Sequence, residues 1–295
     1  MELTFHPLTL KDKKTFDKYL SHMHEPFGSE YCFPLIFVEN TSDETQICDA
    51  GDMAIIKTKW SDRRIFFPPM LEDAALFSKA IDLIEKEAIR EKVSLEIRMV
   101  GEIQAESFDK NKYLVEENSA LADYIYKTED LIHLAGKKLH SKRNFITRFY
   151  KTYDNYTFRE YNPGIDRGNI MQLLKRWDAN TIHEKWAMED KLISRALDTY
   201  KELNLKIAVL YVGEVLVAFS VNYAANSEIA YTFFEKADTD YIGVYQVINQ
   251  RTAELFFSGT KYVNRQSDMN IEGLRKAKLS YKPVKLLQKY KIQHL

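Results

Sequence analysis

The run from Asn264 to Pro283 gathers side chains able to hold and polarise an anionic or carbonyl-bearing substrate. Asp268 stands two residues ahead of Asn270, a residue type that caps helices. Arg275 and Lys278 follow three apart, so they share a helix face, and Tyr281 and Pro283 fall where that helix should stop. One short segment therefore presents an acid, a guanidinium, an ammonium and a phenol. Such a cation pair binds a phosphate, or neutralises the oxyanion formed when an ester carbonyl is attacked. Asp268 would orient the pair or cap the helix. The bland alternative is an ordinary salt-bridged helix.

Three further groups carry chemistry. Glu235 and Lys236 end a strand rich in aromatics, Tyr231, Phe233 and Phe234, and alternation puts Phe233 and Glu235 on one face. At a strand end, Glu235 is either a general base for an attacking amine or hydroxyl, or a tie to Arg275 or Lys278. Lys137, Lys138, His140, Lys142, Arg143 and Arg148 form a basic segment. It is read either as contacts to nucleic-acid phosphates or anionic lipid heads, or as a solvated helix face. Asn144 within it is a donor-site candidate or an internal hydrogen-bonding residue. The turn Asp240-Tyr241-Ile242-Gly243-Val244-Tyr245 opens a helix with a single Gly and an acid nearby. It would cradle cofactor phosphates poorly, which weighs against acetyl-CoA as donor. Trp177, Trp186 and Tyr281 either wall a cleft or belong to the core.

Several chemistries find no footing. His22 and His24 lack a partner at metal-ligand spacing, Glu25 alone is not enough, and His183-Glu184 lacks the rest of a zinc-protease helix motif. There is no Gly-x-Ser-x-Gly turn, phosphate-binding loop or dinucleotide fingerprint. The two cysteines, Cys32 and Cys48, are too few for a disulfide framework and read as reduced core thiols. Lys and Arg number 42 against 43 Asp and Glu, a balance unlike that of a protein built to coat nucleic acid. Lys11, Lys13, Lys14 and Asp17 break any leader-like run at the start, and no apolar stretch approaches a membrane span. A soluble, cytoplasmic protein is expected; action on a lipid would be peripheral, from the inner membrane face.

The elements that must position these groups follow from periodicity. Thr9 caps a short helix carrying Phe16, Tyr19 and Leu20. Pro34 to Glu39 and Met53 to Trp60 read as strands, with Asp62-Arg63 as a hairpin turn and the run Arg63 to Phe67 following before Pro68-Pro69. Leu76 to Arg90 is a helix, Val93 to Val100 a strand, and a further short helix and a strand at Ala122 to Lys127 close this half. The second half offers helices at Ile165 to Thr181 and Met188 to Leu203. A hairpin follows, Lys206 to Val212 and Val215 to Tyr223 about Gly213-Glu214, then a strand at Ile229 to Lys236. A helix from Gly243 to Phe257, a strand at Lys261 to Asn264, the reactive segment and a last run at Val284 to Ile292 complete it.

A hairpin-led sheet whose fourth strand enters a helix, followed by a parallel strand, is the plan of the N-acetyltransferase superfamily. There the fourth and fifth strands splay and the intervening helix points its amide-rich N-terminus at the ligand. The fold class expected is α/β (α+β): two tandem GNAT-like domains with splayed mixed sheets. They are placed at residues 1–134 and 135–295, the second including a basic connecting helix at 135–150.

Three blocks carry a specific resemblance: Leu134-Ala135-Gly136-Lys137-Lys138-Leu139-His140-Ser141-Lys142-Arg143-Asn144; Phe234-Glu235-Lys236-Ala237-Asp238 with Gly243-Val244-Tyr245-Gln246-Val247-Ile248-Asn249; and Asn264 to Pro283. Together they resemble the soluble C-terminal domain of bacterial phosphatidylglycerol lysyltransferases and the broader family grouped with it. The resemblance runs over most of the chain and implies tandem acetyltransferase-type folds. It also implies transfer of an aminoacyl group from aminoacyl-tRNA to a lipid or peptide acceptor. Two positions depart from the pattern: Gln266 and Asn270 stand where an acidic residue and a Gly are expected. Asn still tolerates a left-handed backbone.

The reading that results is acyl or aminoacyl transfer by direct attack. Arg275 and Lys278 stabilise negative charge, and Glu235 or Asp268 manages a proton. Lys137, Lys138, His140, Lys142, Arg143, Asn144, Gly243, Tyr245, Asn264, Arg265 and Tyr281 hold substrate or donor. No tightly bound cofactor is expected; aminoacyl-tRNA or acyl-CoA would be a co-substrate. The competing readings are an anionic-ligand-binding module without turnover and a CoA-dependent N-acetyltransferase.

Overall fold

A computed structural model describes residues 3–23, 27–179 and 189–295, and the chain divides into two compact units. The first unit comprises residues 1–123, 267–270 and 286–295. Its elements are β1 (His6–Pro7), α1 (Lys13–Leu20), α2 (Phe33–Glu39), β2 (Gln46–Asp49), β3 (Met53–Trp60), β4 (Arg63–Phe66), β5 (Met70–Leu71), α3 (Phe77–Glu91), β6 (Glu96–Gly101), α4 (Glu102–Glu106) and β7 (Tyr113–Glu117). The sheet runs β1-β2-β3-β4-β6, then the C-terminal strand Lys289–His294, then β7, with β5 also paired to β3. β4 meets β6 in parallel at Phe66 and Ile97, both fully buried.

The local causes are plain. The Asp12 carboxylate accepts from Thr9 N–H at 2.7 Å and from the Thr9 hydroxyl at 2.9 Å, which fixes the chain's entry into α1. Phe16 and Tyr19, three apart, then face the core. On α3, Ala80, Leu83, Ile84, Glu87 and Ala88 form the buried face, and Lys92 ends the helix in the left-handed region. The segment Pro34 to Glu39, expected as a strand, is the helix α2. Its residues Phe33 to Val38 are all buried, so the run shows neither helical nor strand periodicity, and Pro34 suits a first helical turn. Trp60 pairs with Arg63, so the hairpin turn is Ser61-Asp62, one residue earlier than expected, with Ser61 at φ 54°.

The second unit comprises residues 124–266 and 271–285. Its elements are β8 (Asp123–Lys127), α5 (Thr128–His133), α6 (His140–Thr152), β9 (Tyr156–Glu160), α7 (Pro163–Ala179), α8 (Glu189–Thr199), β10 (Lys206–Val212), β11 (Val215–Ala224), β12 (Ile229–Ala237), α9 (Val244–Phe256), β13 (Tyr262–Asn264) and α10 (Glu272–Leu279). The strands run β8-β13-β12-β11-β10-β9, and Val284 N–H extends the β8 edge by donating to the Ile125 carbonyl at 2.8 Å. Val244, Val247, Ile248 and Ala253 of α9 pack into a core with Ala218, Ala230 and Val263 of the sheet.

The boundary between units falls at 123/124, where 134/135 was expected. β8 pairs with β13 (Val263 opposite Tyr126) and so belongs to the second sheet, while the C-terminal strand lies between β6 and β7 of the first. Neither long-range pairing leaves a local mark on the sequence. Among the described residues no helix is long and apolar enough to cross a membrane.

Candidate functional site

β12 and β13 run parallel over only three pairs, Ile229 with Tyr262, Ala230 with Val263 and Tyr231 with Asn264. Beyond them β12 continues to Ala237, whereas β13 stops. The parallel pairing ends at Asn264, where the strands were expected to splay. Asn264, fully buried, accepts the Gln266 N–H at 2.7 Å and starts a turn in which Gln266 sits at φ 55°. The Gln266 side-chain amide then reaches across the gap. It donates at 2.9 Å to the carbonyls of both Thr232 and Phe233 on β12. A bare buried acceptor costs about 1–3 kcal/mol, so these two bonds matter to β12 where its ladder with β11 shifts register. An acidic residue could not donate to them, so Gln at 266 has a structural reason.

Arg265 points from this turn to Glu235, donating from Nη2 to Oε1 at 2.9 Å, with both side chains nearly buried. Asn249 of α9 donates to the other Glu235 oxygen at 3.2 Å. Glu235 thus pairs with Arg265, and no ion pair to Arg275 or Lys278 is needed to hold it. The Arg265 guanidinium lies 5.2 Å from the Tyr281 ring centroid and 5.7 Å from that of Tyr126. Burial opposes its charge, but neighbouring Glu235, with Tyr126 and Tyr281, together outweigh this and the guanidinium is held more firmly protonated than usual. Burial, reinforced by Glu235, pushes the Tyr281 phenol up, with Arg265 opposing; burial likewise raises Tyr126. Both phenols therefore stay neutral.

Lys142, on α6, is 9% exposed. Its ammonium sits 4.3 Å above the Tyr281 ring, a cation–π seat. Burial, then the positive charge of Arg265, draws its pKa below the ordinary lysine value. Lys278, on α10, is also buried and donates to the carbonyls of Arg265 at 2.5 Å and Gln266 at 3.0 Å. It braces the turn that carries Arg265, and Tyr126 O–H donates back to the Lys278 carbonyl at 2.9 Å. Arg265 thus has Glu235, whereas the buried Lys142 ammonium beside it has the Tyr281 ring.

The remaining candidates scatter. Arg275 is half-buried on α10, one turn before Lys278. Asp268 falls in the first unit, where its carboxylate accepts the Asn270 N–H at 2.8 Å; Asn270 adopts the left-handed backbone expected of it, φ 59°. Lys137, Lys138, His140 and Asn144 are exposed, the last two joined at 3.2 Å. Arg143 donates to the Leu134 carbonyl and, at 2.8 Å, to that of Gly136, tying the loop between α5 and α6. Of the basic segment, Lys142 is the member turned inward.

Gly243 precedes α9 at φ 79°, and a Cβ there would lie 2.2 Å from the Phe145 carbonyl oxygen of α6. Ile242 N–H donates to the Tyr153 hydroxyl at 3.2 Å, and Tyr245 is half-buried in the first turn. The start of α9 is therefore occupied by α6 backbone and an aromatic side chain.

Asn249, Tyr126 and the bridging role of Gln266 escaped sequence reading. Asn249 did leave a signal, a lone amide beside Val247 and Ile248 on an otherwise apolar helix face. Trp186, His183, Glu184, His24, Glu25 and the Trp177 side chain lie outside the described residues. Among the described residues no group of three His, Cys, Asp or Glu is placed to hold a metal. Cys32 and Cys48 are both buried free thiols.

Comparison with known proteins places this geometry in a lineage. The family model described as phosphatidylglycerol lysyltransferase, C-terminal, matches residues 24–293. A protein of Mycoplasmoides gallisepticum is 28% identical over 187 residues, which is 62% of this chain and 60% of that protein, under two thirds of its length. A crystal structure of a conserved protein of unknown function from Bacteroides thetaiotaomicron superposes with a TM-score of 0.86 at 28% identity, covering 99% of this chain and 100% of that one. The L-PGS structure from Bacillus licheniformis superposes with a TM-score of 0.66 at 17% identity, covering 96% and 91%. The fold is a tandem GNAT-like α+β architecture with two mixed sheets. The chain belongs to the phosphatidylglycerol lysyltransferase C-terminal family.

Proposed function

We propose that this member of the phosphatidylglycerol lysyltransferase C-terminal family is an aminoacyltransferase that works at the splay of β12 and β13. Aminoacyl-tRNA is the donor, and a lipid or peptide supplies the acceptor hydroxyl or amine. The observation that carries this reading is the buried Lys142 ammonium, seated on the Tyr281 ring beside Arg265, while Glu235 is committed to Arg265 and Asn249. Buried charge of one sign is costly unless a ligand completes it. An ester carbonyl that gains negative charge on attack is such a ligand.

In this scheme the acceptor attacks the aminoacyl ester carbonyl and its proton passes to Glu235. Asp268 is the weaker candidate because its carboxylate serves its own turn at Asn270. Arg265 and Arg275 stabilise the tetrahedral oxyanion, and Lys278 adds its field from its seat on two carbonyls. The C–O bond to the ribose then breaks, and the departing ribose oxygen takes up the proton. Exposed Lys137, Lys138 and His140 hold phosphates of the donor. The covered start of α9 favours this donor over acyl-CoA, whose pyrophosphate would seek that helix end. An anionic lipid is the favoured acceptor. Leu279 and Val284, 42% and 46% exposed, stand beside exposed Lys276, Lys282 and Lys285, the mix of apolar and basic groups that suits such a surface.

The test is incubation of the protein with a pool of tRNAs charged with radiolabelled amino acids and with crude lipid or peptide acceptors. Label should move to an acceptor, and R275A should lower the rate about 10²–10³-fold. A folded R275A variant with normal turnover removes Arg275 from the scheme. A second reading, recognition of an anionic ligand without turnover, draws on Glu235 being already engaged by both Arg265 and Asn249. It gains if label never moves although the charged pool binds.

A further inference from the structure

We infer that Lys142 and Arg265, seated beside the Tyr281 ring, form an oxyanion-binding subsite that takes a compact phosphate-ester or carboxylate group of the substrate. The inference rests on reading this splay as the substrate site, but its test needs no turnover.

Lys142 is the anomaly that motivates it. A lysine more than nine-tenths buried normally finds a carboxylate or carbonyls, as Lys278 does with two carbonyls in the same unit. No described residue gives the Lys142 ammonium a hydrogen bond or a counter-charge; what it has is the face of Tyr281 at 4.3 Å. The groups facing it are Tyr281, kept neutral, and Arg265, whose guanidinium lies 5.2 Å from the same ring. Glu235, the carboxylate that pairs with Arg265, is committed to it at 2.9 Å and to Asn249 at 3.2 Å. Two cations therefore share one aromatic ring, and each raises the cost of charging the other. An oxyanion bound by Lys142 would accept the unused N–H donors, screen the repulsion and keep the ammonium protonated. Arg143 and His140, its neighbours on α6, are turned to the α5–α6 loop and to Asn144.

Sulfate is the probe for a phosphate ester because it does not titrate in the working range, and acetate is the probe for a carboxylate. Each is titrated into the intact protein by calorimetry from neutral pH upward, with circular dichroism confirming the fold at every pH. Affinity should fall as pH rises through a midpoint below lysine's ordinary value. K142M should weaken binding about tenfold or more, the scale of one lost charge-assisted hydrogen bond. K142R should bind but lose the pH slope, since a guanidinium does not titrate there. The ion that binds tighter in a Lys142-dependent way names the substrate group. Equal binding by folded K142M, an unchanged slope in K142R, or no Lys142-dependent binding of either ion overturns the subsite. If sulfate or acetate binding follows Lys142 while the charged-tRNA assay stays silent, the subsite stands and the aminoacyl-transfer reading falls.

Discussion

Both units contain a place where parallel strands meet, and they fill it in opposite ways. In the first unit β4 and β6 meet at Phe66 and Ile97, two fully buried apolar side chains in one hydrophobic core. In the second, the end of β13 beside β12 carries Asn264, Arg265 and Gln266, facing Glu235. The buried charges differ in the same sense. In the first unit Lys289 has Glu30 and, at 3.5 Å, Asp123; Lys57 has Glu87 at 2.5 Å and Glu91 at 2.6 Å. Those clusters close on themselves. In the second, Arg265 has Glu235, but the buried Lys142 ammonium beside it has only the Tyr281 ring among the described residues. One strand plan is thus filled by apolar side chains in the first unit and by polar and charged ones in the second.

The contrast can be broken in three ways. K289M in the first unit strands Glu30 and Asp123 without their cation and should cost about 3–5 kcal/mol in urea denaturation. Any fall in transfer should follow the loss of folded protein alone; a variant that stays stable would show the cluster is not a structural lock. E235Q in the second unit should do the reverse, leaving most of the protein folded while the transfer rate drops about 10²–10⁴-fold. Unchanged transfer per folded molecule would remove Glu235 as the base. The smallest effect is expected of Q266L, which gives the second gap an apolar filling like the first. It bares the Thr232 and Phe233 carbonyls and should cost about 1–3 kcal/mol in a thermal or urea melt. No loss would mean that the gap does not depend on the Gln266 amide.

How legible each half was follows from the range of its contacts. β10, β11, β12 and α9 were readable because their alternation and helical spacing are local and one-sided. α2 was not, since every residue from Phe33 to Val38 is buried and periodicity vanishes. β7 and β9 were missed: the first alternates weakly, and the second, Tyr156 to Glu160, is a partly exposed edge strand without a clear apolar face. At the site, Glu235, Arg265, Lys142 and Tyr281 were named as candidates singly, but their grouping was not foreseen. Tyr126 and Tyr281 come from distant parts of the chain, and only the pairing of β8 with β13 brings the first of them to Arg265. Arg265 was taken for a donor contact, whereas geometry makes it the partner of Glu235. Gln266 looked like the loss of an acid; it is a gain of two donors for carbonyls that no sequence pattern announces.

The strand Lys289–His294 joins β6 to β7, so two neighbours made early wait for one made late. On a ribosome, β6 and β7 cannot be joined into one hydrogen-bonded layer until the residues between β7 and this strand have been made. Until then the facing edges of β6 and β7 stay unzipped, which makes that interval the natural moment for chaperone capture or clumping.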